Sequence, residues 1–163
     1  MPFYDVPVFA ATTNASAGTE TTQMAAKTAT SQESVSITGA YAAGRFGTAG
    51  GCQMRLKTNT TGGTVYSGGT ATTPTPRNAR LPAAGSTWVN GGTAITPGTT
   101  PVIRVSIGFA ATGGMGGWIP IVPAAGIQLM PASTNPVDFE ITSLASQASV
   151  THDVTVEFQE GVA

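Results

Sequence analysis

The chain has 163 residues, a formal net charge of −1 and 9% charged residues, against about 25% in a typical soluble domain. Its 21 glycines and 11 prolines disfavour long helices, and its 27 threonines favour strands and turns. The charge excludes a broadly basic nucleic-acid surface, and the single cysteine and single histidine exclude a disulfide framework and a Cys/His zinc site. No apolar run approaches the roughly 20 residues that a membrane helix needs.

The N-terminal segment is aromatic and contains two prolines. Pro2 and Pro7 exclude a regular helix and favour an extended backbone, and the segment lacks the basic and apolar regions of a secretory signal. The pattern fits an extended arm that lies on a neighbouring surface, and it fits an edge strand of the same domain equally well. Residues 11–30 are mostly Ala, Thr and Ser, which predicts a linker. We therefore expect an arm and linker over residues 1–30 and a single β domain over 31–163.

Alternating apolar and polar residues predict strands in the rest of the chain. The strands are expected at residues 34–38, 52–57, 102–109, 127–130, 137–144 and 150–159. In the clearest of them, one face is predicted to carry Ile103, Val105, Ile107 and Phe109. Glycine pairs and Asn90-Gly91 supply tight turns between these strands. The predicted fold is all-β, either a β-sandwich or a jelly-roll-like barrel with long loops.

Charge is distributed unevenly along the chain. No acidic residue occurs from Ser34 through Val137, and no Lys or Arg follows Arg104. One interpretation is that acids of the last strands pair with basic residues of neighbouring strands in the same molecule. The other is that complementary patches meet between identical subunits. The sequence leaves both open.

The residues usually responsible for catalysis are sparse. His152 and Asp153 are adjacent on a predicted strand, so their side chains should point to opposite faces and not form an oriented pair. We expect His152 to be half buried and Cys52 to be a small core residue. Asp138 and Glu140 share one strand face, a spacing that suits a cation or a carboxylate pair, although a solvated face is the simpler interpretation. The sequence therefore predicts no enzyme, metal or cofactor.

Other segments suggest contacts with partners. The glycine-rich residues 113–118 predict a loop that presents Met115 and Trp118, either to their own domain or to a partner. Arg77 and Arg80 lie in a stiff, proline-rich stretch, but two arginines supply too few contacts for strong phosphate binding. Trp88 beside Asn90 is a modest candidate for a glycan site.

Three segments resemble small virion proteins of tailed bacteriophages, in particular capsid decoration (cement) proteins. They are residues 1–8 (MPFYDVPV), 113–120 (GGMGGWIP) and 154–161 (VTVEFQEG). The resemblance implies a β-rich module, commonly trimeric, that sits on the outer capsid surface and clamps neighbouring major capsid subunits. It also implies synthesis in the bacterial cytoplasm.

The expected partners are the major capsid protein and further copies of this chain, with no membrane and no direct nucleic-acid contact. A phage head-fibre or tail-associated module that binds a receptor or glycan is the alternative. The residues expected to bind the partner are Phe3, Tyr4, Val6, Phe9, Arg77, Arg80, Met115 and Trp118.

Overall fold

The computed structural model describes residues 2–12, 18–28, 33–45, 50–59, 64–110, 112–121, 126–129, 138–145 and 150–162. These residues contain twelve strands and no helix. The strands, in chain order, are β1 (Phe3–Thr12), β2 (Thr21–Lys27), β3 (Glu33–Gly44), β4 (Gly51–Asn59), β5 (Ser67–Thr72), β6 (Thr75–Pro76), β7 (Thr87–Thr96), β8 (Pro101–Ala110), β9 (Met115–Trp118), β10 (Ile127–Leu129), β11 (Asp138–Ala145) and β12 (Thr151–Val162).

The strands form two antiparallel sheets packed together, which confirms the predicted β-sandwich. Sheet A has the order β10-β3-β12-β1-β6. Strand β9 also belongs to this sheet and, like β10, pairs with β3. Sheet B has the order β5-β7-β2-β11-β4-β8. The chain passes repeatedly from one sheet to the other, so most neighbours within a sheet are distant in sequence.

The core lies between the sheets and is built by the alternation along each strand. In β12 the residues Val154, Val156 and Phe158 are buried, as the sequence predicts. Trp88 of sheet B stacks on the Phe158 ring of sheet A with 4.7 Å between ring centroids, and Tyr4 of sheet A stacks on the same Phe158 ring at 5.1 Å. The contact between Trp88 and Phe158 joins the two sheets.

The structure differs from the predicted division at residue 30. Strand β1 lies inside sheet A between β12 and β6, and β2 lies inside sheet B between β7 and β11. The described residues of 1–30 are therefore extended but belong to the sandwich and do not form a separate arm. Small residues suit β2 because its inward-facing Met24 and Ala26 pack against a crowded core.

Strand β8 differs from its predicted alternation at one residue. Leu56 pairs with Val105 and Lys57 pairs with Ile103, so Arg104 is an extra residue, a β-bulge. The bulge reverses the direction of the side chains before it. As a result Ile107 is buried while Ile103 is 50% exposed.

Candidate interaction surface

Strand alternation divides six of the eight predicted partner-binding residues between two faces. Tyr4 and Val6 of β1 point into the core and are buried, whereas Phe3 and Phe9 point to the outer face of sheet A. Phe9 is 70% exposed. On β9 the same rule places Met115 outward, at 81% exposure, and turns Trp118 toward the edge of the core.

The predicted residues differ in whether a partner could reach them. Tyr4 and Val6 are unavailable to a partner because both side chains are buried in the core. The Tyr4 hydroxyl also donates a hydrogen bond to the Pro82 carbonyl at 3.1 Å. Arg77 lies on the outer face of sheet A and Arg80 is exposed in the loop that follows. Residues 115–118 form a strand paired to β3 and not the flexible loop that glycine content suggests.

The charged residues on this outer face form ion pairs. Arg77 contacts both Asp5, at 3.0 Å, and Glu157, and its guanidinium also lies 5.8 Å from the centroid of the Phe3 ring. The hydrogen bonds that Arg77 donates to the Asp5 carboxylate, together with the charges of Asp5 and Glu157, raise the pKa of Arg77, although partial burial opposes the shift. These contacts confirm intramolecular pairing for Glu157.

A second ion pair lies further along the same face. Arg45 contacts Asp153 at 2.8 Å. Asp153 thus points away from His152, as the sequence predicts. Both exposed groups contribute little to stability, about 0–1 kcal/mol for each pair, and their two arginines against three acids leave the face with a formal charge of −1.

Tyr41 forms a flat aromatic area on the outer face of sheet A. A Cβ atom on Gly117 would lie 2.8 Å from the Tyr41 ring, and one on Gly39 would lie 3.3 Å from it. The ring therefore lies across bare backbone, which only glycine at these two positions permits. Burial, assisted by the Glu157 carboxylate, raises the pKa of Tyr41.

We name the outer face of sheet A by its exposed and half-buried side chains. It consists of Phe3, Asp5, Phe9, Tyr41, Arg45, Arg77, Met115, Asp153 and Glu157. Three large apolar side chains, two ion-pair groups and a flat tyrosine make a surface suited to contact with another protein.

The outer face of sheet B carries a buried polar cluster instead of the solvated carboxylates that the sequence favours. Asp138 and Glu140 are both buried because the loops at residues 64–66 and 97–99 cover them. The Asn59 Nδ2 atom donates to Asp138, and to Glu140 Oε1 at 2.9 Å. Backbone N–H groups complete the cluster, with Tyr66 donating to Asp138 and Gly98 donating to Glu140 at 2.6 Å.

This cluster holds loops to the sheet. Burial raises the pKa of Asp138 and of Glu140, although hydrogen bonds to both carboxylates oppose the shift. The Asn59 amide occupies the space between the two carboxylates, where a shared cation would have to lie. The arrangement therefore acts as a fastening for the two loops.

Next to this cluster, Glu20 contacts Arg55 and Lys57 on the same face. Partial burial alone would raise the pKa of Glu20, but Lys57 and then Arg55 lower it below its usual value. Sequence reasoning missed Glu20, because the residue precedes a strand that the composition did not reveal.

The other candidate residues lie in the core. His152 is fully buried, and not half buried as the sequence suggested, with its ring centroid 5.7 Å from that of Phe109. Burial lowers the pKa of His152. Cys52 is buried and burial raises its pKa to about 11, which suits a core residue. Trp88 is buried as well, so it is not an exposed glycan platform.

Over the ranges that the structure describes, no helix has the length and apolarity to span a membrane. Within those same ranges, no three His, Cys, Asp or Glu side chains converge as ligands for a metal ion.

Comparison with known proteins gives little. No protein-family model matches the chain, and no curated protein matches it. A solved structure of the Cowpea Mosaic Virus empty virus-like particle aligns with 10% identity over 91% of this chain and 85% of that chain, at a TM-score of 0.22. A similarity of that size carries no argument about fold or function.

Proposed function

We propose that this protein is a structural virion protein that decorates the outer surface of a phage capsid and stabilises it by bridging neighbouring major capsid subunits. The observation that supports binding is the outer face of sheet A, where Phe3, Phe9 and Met115 are exposed on a rigid sheet. The capsid as partner, and a trimer as the bound form, rest on the sequence resemblance.

The physical basis is contact area on a repeated lattice. Burying an exposed phenylalanine ring contributes about 1.5–3 kcal/mol, and ion pairs that are already satisfied add no unpaired charge to the interface. A protein that touches two subunits at once gains further from effective concentration. Each bridge then raises the free energy needed to separate the subunits.

The test is attachment to undecorated capsids of the phage that carries this gene. The unaltered protein should sediment with the capsids and raise their disruption temperature. Phe9→Ser combined with Met115→Ser should weaken attachment by at least about tenfold, since two exposed apolar side chains lose their contacts. Ile121→Ser is the matched control, because Ile121 is fully exposed outside the named surface.

Two results would contradict the proposal. One is no sedimentation of the unaltered protein with the capsids, and the other is equal loss in the control and in the outer-face variant. Deletion of residues 1–10 is not a usable test, because it would remove β1 from the middle of sheet A.

Tyr41 favours the second candidate, a head-fibre or tail-associated module that binds a receptor or glycan. A flat ring beside Glu157 and Arg77 offers a stacking surface with hydrogen-bonding groups at its edge. If this candidate is correct, the protein binds purified host surface polysaccharide, and Tyr41→Ala abolishes that binding without changing the melting temperature. Binding that survives Tyr41→Ala would exclude this role for the ring.

A further inference from the structure

Strand β8 is an open edge of sheet B. It pairs with β4 on one side, and no strand in the described part of the chain pairs with its other side. Its C-terminal half is close to β9, since a Cβ on Gly116 would lie 2.9 Å from the Gly108 carbonyl oxygen. The half from Pro101 to Ser106 lies beyond this contact. An edge strand of this kind presents backbone N–H and C=O groups to a further strand.

Apolar side chains and a groove flank this open half. Val102 is 39% exposed and Ile103 is 50% exposed. Between β8 and the edge of sheet A lies a groove of about 430 Å³, and Trp118 and Ile127 form its wall on the sheet A side. An extended peptide on the edge could therefore bury side chains both on the strand and in the groove.

Arg104 gives the edge a charge preference. The bulge turns its side chain toward the groove, where its Nε atom donates to the Thr58 hydroxyl at 2.8 Å. The guanidinium has four further N–H donors, and Arg104 takes part in no ion pair among the described residues. A carboxylate is the group that this geometry accepts best.

A second copy of the chain is a poor source of that carboxylate. Apart from Glu33, whose side chain lies outside the described part, every acidic side chain is already engaged within the molecule. The engaged residues are Asp5, Glu20, Asp138, Glu140, Asp153, Glu157 and Glu160. Two copies joined edge to edge through β8 would also bring two Arg104 side chains together, which opposes self-pairing.

We propose that the edge of β8 at residues 101–106 binds an extended segment of a partner protein in which a carboxylate lies between apolar side chains. The segment adds to sheet B through backbone hydrogen bonds, and its carboxylate pairs with Arg104. This inference rests on the proposed function for the nature of the partner, because a bridging protein needs a second surface besides the outer face of sheet A.

The test uses the full chain and three blocked seven-residue peptides. Each peptide alternates valine and threonine and has aspartate, asparagine or lysine at its centre. Binding is followed by NMR through the backbone amides of residues 102–106 and the indole N–H of Trp118, since Pro101 has no amide N–H, and β5, the other edge of sheet B, is the internal comparison. We expect saturable shifts at β8 and Trp118, with the aspartate peptide bound about tenfold more tightly than the asparagine peptide.

Variants assign the preference to the guanidinium. Arg104→Gln should abolish the tenfold difference between the peptides, whereas Arg104→Lys should keep part of it. Arg80→Gln is the matched control, since Arg80 is likewise exposed and forms no ion pair among the described residues. Melting temperatures establish that each variant is folded. The relative affinities of the three peptides for the unaltered protein test the inference even if a variant fails to fold.

Equal affinity for the three peptides, shifts at β5 instead of β8, or no shift at millimolar peptide would overturn the inference. Its failure is distinct from failure of the proposed function. If the peptide binds and capsids do not, the edge site stands and the capsid function falls. If capsids bind through the outer face of sheet A and the peptide does not, the capsid function stands and the edge site falls.

Discussion

The contact between Gly98 and Asn59 allows a sharp test of the buried polar cluster. A Cβ atom added at Gly98 would lie 2.4 Å from the Asn59 Cγ atom, and Gly98 has no unusual backbone conformation that would complicate the substitution. Asn59 cannot move aside freely, because its amide nitrogen is held by Asp138 and Glu140. Gly98→Ala must therefore displace either the loop or the asparagine.

The expected cost of Gly98→Ala is about 1–3 kcal/mol in the free energy of unfolding, the usual range for overpacking a filled site. For a domain of this size that corresponds to a melting temperature lower by roughly 2–12 °C. Gly108→Ala is the matched control, because nothing lies within 4 Å of its added Cβ. It should leave stability unchanged or raise it by up to about 1 kcal/mol, since alanine restricts the unfolded chain more than glycine does.

Urea denaturation followed by tryptophan fluorescence measures both variants. In the double variant with Asn59→Ala, the added cost of Gly98→Ala should fall by at least half, because the clashing side chain is gone. If Gly98→Ala is as stable as Gly108→Ala, loops 97–99 and 64–66 are not fastened by this cluster and our account of the outer face of sheet B is wrong.

Three further predictions concern the buried residues His152, Glu160 and Trp88. Burial lowers the pKa of His152 below its usual 6.5, so the unfolded chain binds the proton more readily and the free energy of unfolding should fall as the pH drops below about 6.5; His152→Phe should remove this part of the pH dependence, and an unchanged difference between the two proteins from pH 7.5 to 5.5 would contradict it. Glu160→Ala leaves the backbone N–H groups of residues 85 and 86, each 2.7 Å from the carboxylate, without that acceptor, and should cost about 2–5 kcal/mol in urea denaturation. Trp88→Ala should cost about 3–5 kcal/mol, because the ring is 1% exposed and stacked on Phe158; a loss below 1 kcal/mol would mean that this stack does not join the sheets.

The sequence predicts strands well where long apolar side chains alternate. Strand β12 keeps one alternation from Val154 to Phe158, and this is also why His152 and Glu160 at its two ends face the interior. The same rule could have predicted that Phe3 and Tyr4 point in opposite directions, had residues 1–10 been assigned to a strand of the sheet. Local alternation is thus enough to sort side chains once a strand is placed.

Features that depend on contacts between segments far apart in the chain could not be predicted from the sequence. The bulge at Arg104 exists only relative to β4, and it alone exposes Ile103. The burial of Asp138 depends on a loop about seventy residues earlier in the chain. Strand β2 has few large side chains, so its place inside sheet B follows from its neighbours and not from its own pattern.

The position of charge on the two proposed surfaces gives them different salt dependence. On the outer face of sheet A, Arg77 and Arg45 are already paired with acids of the same sheet, so attachment through Phe3, Phe9 and Met115 forms no new ion pair there. At the edge of β8, Arg104 has no such partner among the described residues, so its contact with a carboxylate should weaken as salt screens it. Raising the salt from about 0.05 M to about 0.5 M shortens the screening length several-fold and should loosen the aspartate peptide while leaving outer-face attachment nearly constant. The reverse order would show that the two surfaces have been assigned the wrong way round.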